Sequence, residues 1–193
     1  MCAECGLYNV NFGINQMNLS ENVSEKFQLW TKEFNTAPPP RLDKKLVHKY
    51  LAENVFVSRV ESLGTEQPDS FISQLAFESN HTFFFEHPLD HVPGLMLIEA
   101  GRQATIAISH LFLDVPYECV FIVNKLNTEF NIFAELELPV FLIGTVRNKR
   151  YQHGNLYEFQ SEGNFIQGEQ SIGFMNGIAT LYHKSEYQHL RAV

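Results

Sequence analysis

The chain is 193 residues long, 45% hydrophobic and 19% charged, with a formal net charge of −8. This is the size and composition of one globular domain with room for a core, and the acidic balance excludes a general nucleic-acid binder, which needs a basic face against phosphate. No apolar run approaches the ~20 residues that span a bilayer, and no basic segment followed by an apolar core marks a secretory signal, so neither nucleic acid nor membrane is an expected partner.

In chain order the first feature is Cys2-Ala-Glu-Cys5, which has the gap of half a zinc knuckle. No second Cys/His pair follows at finger-like spacing, and Cys119 adds no disulfide framework. No metal is therefore expected, and a reducing cytoplasm is the expected location. Residues 1–40 read as an accessory segment, polar and Asn-rich, with a helical candidate over 20–34 and a stop at Pro38-Pro39-Pro40. Residues 41–187 read as the main domain and 188–193 as a C-terminal tail.

The main domain begins with short β-rich pieces over 55–60, 70–78 and 81–85. His81, His87 and His91 are spaced too loosely for a metal centre, and Phe83-Phe84-Phe85 between them reads as a strand alternating faces. A helix follows over 95–112. Further strands are expected over 119–124, 128–136, 140–148, 156–160 and 170–183, separated by the turn signals Asn-Lys, Leu-Pro, His-Gly-Asn and Glu-Gly-Asn. Gly163, Gly168, Gly173 and Gly177 suggest close strand approaches or bulges. One buried helix with this much sheet implies an α+β arrangement in which an antiparallel sheet wraps the helix.

The helix carries the chemistry. Its apolar residues cover nearly the whole circumference, the pattern of a helix surrounded by protein, yet Glu99 and Arg102 interrupt it. Removed from water without partners, each charge costs several kcal/mol, so they must pair, meet a polar cavity or face a dimer cleft. Pro93 suits the first helical turn and Gly94 permits close approach of a ligand or backbone. The Gly94 and Leu95 amides, without intrahelical acceptors, are candidate donors to a thioester oxyanion. Glu99, Arg102 and Gln103 project from one face. Glu99 is the candidate base: an apolar setting raises a carboxyl pKa unless Arg102 pairs tightly enough to lower it. Arg102 offers a planar fork to phosphate or carboxylate, and Gln103 can hold a carbonyl or satisfy a buried backbone group. His87 is a second catalytic candidate because an imidazole can exchange protons in general acid–base work, with Asp90 and His91 as neighbouring substrate-binding candidates or as closers of the turn before the helix.

Pro93-Gly94 opening the helix, Glu99 in its second turn and the surrounding strands resemble the hotdog fold, in which an antiparallel sheet wraps a central helix and two units pair. The run from Phe85-Glu-His87 to Glu99-Ala resembles the hydroxyacyl-carrier-protein dehydratases, where an acid lies five residues after the Pro-Gly glycine, as Glu99 does after Gly94. Leu46-Val47-His48-Lys49, the His87-Pro-Leu-Asp-His91 segment and above all Glu99-Ala-Gly-Arg102-Gln103-Ala are more similar to the AfsA family, the A-factor biosynthesis hotdog domain, over about residues 45–146.

That resemblance implies an acyltransferase moving a β-ketoacyl group from a carrier-protein or coenzyme A thioester, on its phosphopantetheine arm, to the hydroxyl of dihydroxyacetone phosphate for butyrolactone-type signals or other secondary metabolites. Family members with two domains in tandem imply that this single unit forms a homodimer. No bound cofactor is implied. Two alternatives stay open: 3-hydroxyacyl-thioester dehydration with His87 as base and Glu99 as acid, and a non-catalytic acyl-binding module.

Overall fold

The computed structural model describes residues 21–36, 40–168 and 170–191; Cys2 and Cys5 lie outside them. Helix α1 spans Glu21–Thr36, strands β1 and β2 span Val57–Ser62 and Ser70–Leu75, and the central helix α2 spans Gly94–Phe112. Strands β3 (Cys119–Phe130), β4 (Val140–Gln152), β5 (Asn155–Gln167) and β6 (Gln170–His183) follow, and a short helix α3 covers Lys184–Leu190. All six strands form one antiparallel sheet in the order β1-β2-β4-β5-β6-β3.

Helix α2 touches β1 at one edge of this sheet and β3 at the other, so the sheet must curve around it. Met96, Leu97, Ala100 and Ala104 pack with Leu142, Phe165, Ile172 and Met175 on the concave face. Small residues let helix and sheet approach. A Cβ at Gly101 would stand 2.1 Å from Met175 Sδ and 3.2 Å from Phe165 Cζ, which explains a glycine in mid-helix despite its propensity cost.

The alternate residues of the same strands point the other way, as the two-residue period of a strand requires. Ile72, Phe141 and Ile166 form a convex apolar face that α1 covers with Val23, Phe27 and Trp30. Ion pairs of Lys26 with Glu61, and of Arg59 with Glu33 at 2.7 Å, fasten α1 to β1. Within the described part of the accessory segment the chain is thus a packed helix and not a frayed tail.

Four local expectations are corrected. Residues 81–85 form a turn, because Phe85 N–H donates to the His81 carbonyl and the His81 ring caps the Phe83 and Phe84 amides; Phe83 is exposed. The two strands expected over 119–136 are one strand to Phe130, with Asn124-Lys125 at a register shift rather than a turn. Glu162-Gly163-Asn164 likewise runs through β5, where the missing Cβ makes room for Leu142 Cδ1. Pro93 is the N-cap with extended backbone, not the first helical residue. The His153-Gly154 turn does close the β4–β5 hairpin, both residues having positive φ as a tight two-residue turn demands.

Between its ends helix α2 is enclosed, every residue from Met96 to His110 being buried or half-buried, and Leu95, Leu111 and Phe112 are exposed in its first and last turns.

Candidate active site

Glu99, Gln103, Ile106 and His110 recur at three- and four-residue intervals and form one stripe along α2, with Arg102 beside them. The loop before β1 lies against this stripe. Val47 is fully buried with Val55 and Ala107, and that apolar anchor holds His48 and Lys49 next to the helix.

Glu99 accepts four hydrogen bonds. Arg102 Nε reaches Oε2 and Nη2 reaches Oε1, both at 2.8 Å. Gln103 Nε2 and Lys49 Nζ reach Oε1 at 2.9 and 2.7 Å. Burial pushes the carboxyl pKa up, but the bonds from Arg102, Lys49 and Gln103 outweigh it and hold the group at about 2. The expectation that Glu99 serves as a general base is therefore corrected: a carboxylate this acidic and this fully engaged is a weak proton acceptor. It instead organises two cations. Glu99, Arg102 and Lys49 together sum to one net positive charge, and Arg102 Nη1 makes no hydrogen bond among the described residues, so the fork keeps donors for an anion.

Gln103 has no solvent exposure. Besides Glu99, its Nε2 donates to the Asn54 carbonyl and its Oε1 accepts from Phe56 N–H, both at 2.7 Å. It thus joins the charge cluster to the entry of β1. Asn54 Oδ1 in turn meets His81 Nε2 at 2.9 Å.

Arg102 also lines a cavity of about 450 Å³ together with His48, Ile106, Tyr117, Glu118, Phe121 and Lys184. A second, apolar pocket of about 70 Å³ shares Arg102, Ile106 and Phe121 with it and is lined further by Val123, Leu126 and Met175.

A family model, the A-factor biosynthesis hotdog domain (AfsA), matches residues 30–182. The chain belongs to the AfsA family. Among similar proteins, a 2-oxo-3-(phosphooxy)propyl 3-oxoalkanoate synthase of Streptomyces virginiae is 33% identical over 54% of this chain and 31% of its own length. Proteins of the same name from Streptomyces coelicolor and Streptomyces griseus are 34% and 31% identical over 38% of this chain, and over 21% and 22% of their own lengths. The match to this AfsA-family chain thus spans about a third or less of these relatives. Solved structures with a similar course include a conserved protein of Pseudomonas aeruginosa (12% identity, 73% of this chain and all of that one, TM-score 0.49). A phenylacetic acid degradation-related protein of Ralstonia eutropha is similar at 14% identity over 63% and 83% of the two chains, with a TM-score of 0.47.

The remaining residues singled out in the AfsA-like motif lie apart from the Glu99 cluster. His87 is exposed in a bend and shares no hydrogen bond with Glu99. Asp90, also exposed, accepts from His91 Nδ1 at 2.7 Å, which holds its carboxyl below the usual range, and His91 packs on Phe133 with ring centroids 4.6 Å apart. These two secure the approach to α2, which the His91–Glu135 bridge completes. The Gly94 and Leu95 amides find no acceptor among the described residues, and the Phe130 ring lies against Gly94.

The sequence placed His48 and Lys49 in the AfsA-like opening, with strand entry or a phosphate contact as their roles, and gave His110 none. Lys49 and His48 come to the helix only through tertiary folding, which no spacing reports. His110 was accessible: it stands seven residues after Gln103, two helical turns along the same face.

Proposed function

We propose that this chain transfers a β-ketoacyl group from a phosphopantetheine thioester to the hydroxyl of a small phosphorylated acceptor such as dihydroxyacetone phosphate. The carrying observation is the net-positive Glu99-Arg102-Lys49 cluster, whose Arg102 lines a cavity together with His48 and Lys184. The name of the Streptomyces relatives describes an ester of a 3-oxo acid with a phosphorylated hydroxyketone, and this cluster suits such an acceptor. Arg102 takes the phosphate through Nη1 and the free edge of Nη2 while Glu99 holds its other edge. The apolar pocket that Arg102 also lines receives the acyl chain.

The reaction joins the acceptor oxygen to the thioester carbonyl carbon and breaks the carbon–sulfur bond, and the hydroxyl proton ends on the thiol. An acyl carrier protein or coenzyme A delivers the thioester, and a homodimer is the working assembly, placed in the cytoplasm. Dehydration is the less favoured reading, since among the described residues His87 makes no hydrogen bond to Glu99, the carboxylate it would act with.

The test is mass spectrometry of the purified protein with β-ketoacyl and 3-hydroxyacyl thioesters, each with and without dihydroxyacetone phosphate. A phosphorylated keto ester that requires the acceptor is the expected product. Enoyl thioester without acceptor would replace the proposal with dehydration, and no turnover with retained acyl binding would replace it with a binding module.

A further inference from the structure

We propose that His48, oriented by His110, is the base that takes the proton from the acceptor hydroxyl. This deepens the transferase reading above and rests on it. That reading lacks a base, because Glu99 is locked as a carboxylate in four hydrogen bonds.

The tautomers follow from the partners. His110 Nδ1 lies 2.7 Å from the Val115 carbonyl oxygen, which can only accept, so this nitrogen carries a proton. In the neutral ring His110 Nε2 is then an acceptor, and it receives His48 Nε2–H at 2.9 Å. That leaves the lone pair of neutral His48 on Nδ1, which makes no hydrogen bond among the described residues. A nucleophile-activating base backed by a second group that fixes its tautomer is the arrangement that acyl transfer uses.

The site is built to hold this pair. The two rings lie 5.0 Å apart, Phe121 presents its edge to both, and Tyr117 stacks on His110 at 4.7 Å. His48 has a φ of +54°, a conformation unusual for a residue other than glycine. Arg102, the candidate phosphate anchor, lines the same cavity as His48, so an acceptor held by its phosphate keeps its hydroxyl within that space. The groups around His48 are His110 and Arg102 from α2, Phe121 from β3, Glu118 in the turn before it, Lys184 from α3, and its neighbour Lys49. Burial, then His110 and Arg102, lower the His48 pKa, so the ring is neutral and able to accept at neutral pH.

In the step, the acceptor O–H proton moves to His48 Nδ1 as the oxygen bonds to the thioester carbonyl carbon. Collapse of the tetrahedral oxyanion breaks the carbon–sulfur bond, and the imidazolium returns the proton to the departing sulfur. No redox partner is needed.

The test combines His48→Asn, which tolerates the left-handed backbone, with His110→Gln, and reads three quantities in the full chain. Imidazole NMR titration of the wild type should place His48 below 6.5, and His110→Gln should move it upward. The acid limb of the pH profile for ester formation should move with it, which a purely structural histidine would not cause. His48→Asn should lower the transfer rate by about 10²- to 10⁴-fold, the usual contribution of a general base, with acceptor KM little changed. Transfer within about twofold of wild type in His48→Asn, or a pH limb that ignores the His48 titration, overturns the assignment. Hydrolysis of p-nitrophenyl acetate separates the two proposals. If the wild type forms no keto ester but outpaces His48→Asn at least tenfold on this probe, the base stands and the acceptor assignment falls; equal rates on the probe overturn the base.

Discussion

Lys49 Nζ and Glu99 Oε1 lie 2.7 Å apart although fifty positions separate them in the chain. Their contact pins the loop before β1 to the central helix at the point where Arg102 also bonds Glu99. Charge pairing and loop placement are therefore one event. Removing either partner should disturb both.

The acidity of Glu99 makes this cluster a pH-dependent source of stability. Its folded pKa, about 2, lies below its ordinary value of 4.5, so the contribution is fully present above pH 4.5 and fades as pH falls toward 2. The difference corresponds to on the order of 3 kcal/mol. Urea denaturation of wild type and Glu99→Gln across pH 2 to 6 should show the two curves converging toward acid. A constant gap would mean that Glu99 does not titrate in this range.

Arg102→Lys keeps the charge and loses the fork. The two parallel bonds to Glu99 cannot both be replaced by one ammonium. Acceptor KM should rise at least tenfold in steady-state assays, while fold stability changes by no more than about 1–2 kcal/mol, since both groups are partly solvated.

Gln103→Leu removes a fully buried amide that serves Asn54, Phe56 and Glu99 together. Phe56 N–H is left buried without a partner, a loss of about 1–3 kcal/mol for that group alone. The urea midpoint should fall accordingly, and a variant as stable as wild type would show that the amide is dispensable to the fold.

Trp30→Ala tests whether α1 is integral to the domain. The indole is 2% exposed, packs near Phe141 and lies under the Arg59 guanidinium at 4.8 Å. Truncation should cost about 3–5 kcal/mol, read by thermal or chemical denaturation. A change under 1 kcal/mol would make α1 an ornament on the sheet.

Gly173→Ala addresses the outer strands. A Cβ there would stand 2.7 Å from the Glu129 carbonyl oxygen and 2.9 Å from Phe130 Cδ1. Backbone cannot yield as a side-chain tip can, so β3 must shift away from β6. A loss of about 1–3 kcal/mol is expected, with faster amide exchange along β3.

Much of the architecture was legible because periodicity is a local property. The long helix, strands β4 and β6 and the His-Gly hairpin followed from apolar spacing and turn chemistry, whereas β3 was divided and β5 cut short by turn signals that the strands run through. The Phe83–Phe85 turn was missed because three aromatics in a row suit a strand by propensity, while the His81 ring decides the matter by capping two amides. Glu99, Arg102 and Gln103 were readable as one helical face. Lys49 and His48 were not, since their place depends on Val47 burying itself against Ala107.

Strand β3 has a sequential disadvantage. It occupies residues 119–130, yet its one partner is β6, residues 170–183, which lies beyond two further strands. During synthesis β3 leaves the ribosome with nothing to pair with until the last strand follows. Tyr117, Glu118 and Phe121, which complete the cavity wall, are set by that late pairing. Contacts so distant in sequence form slowly, and shortening β6 would remove the pairing that sets this wall of the cavity.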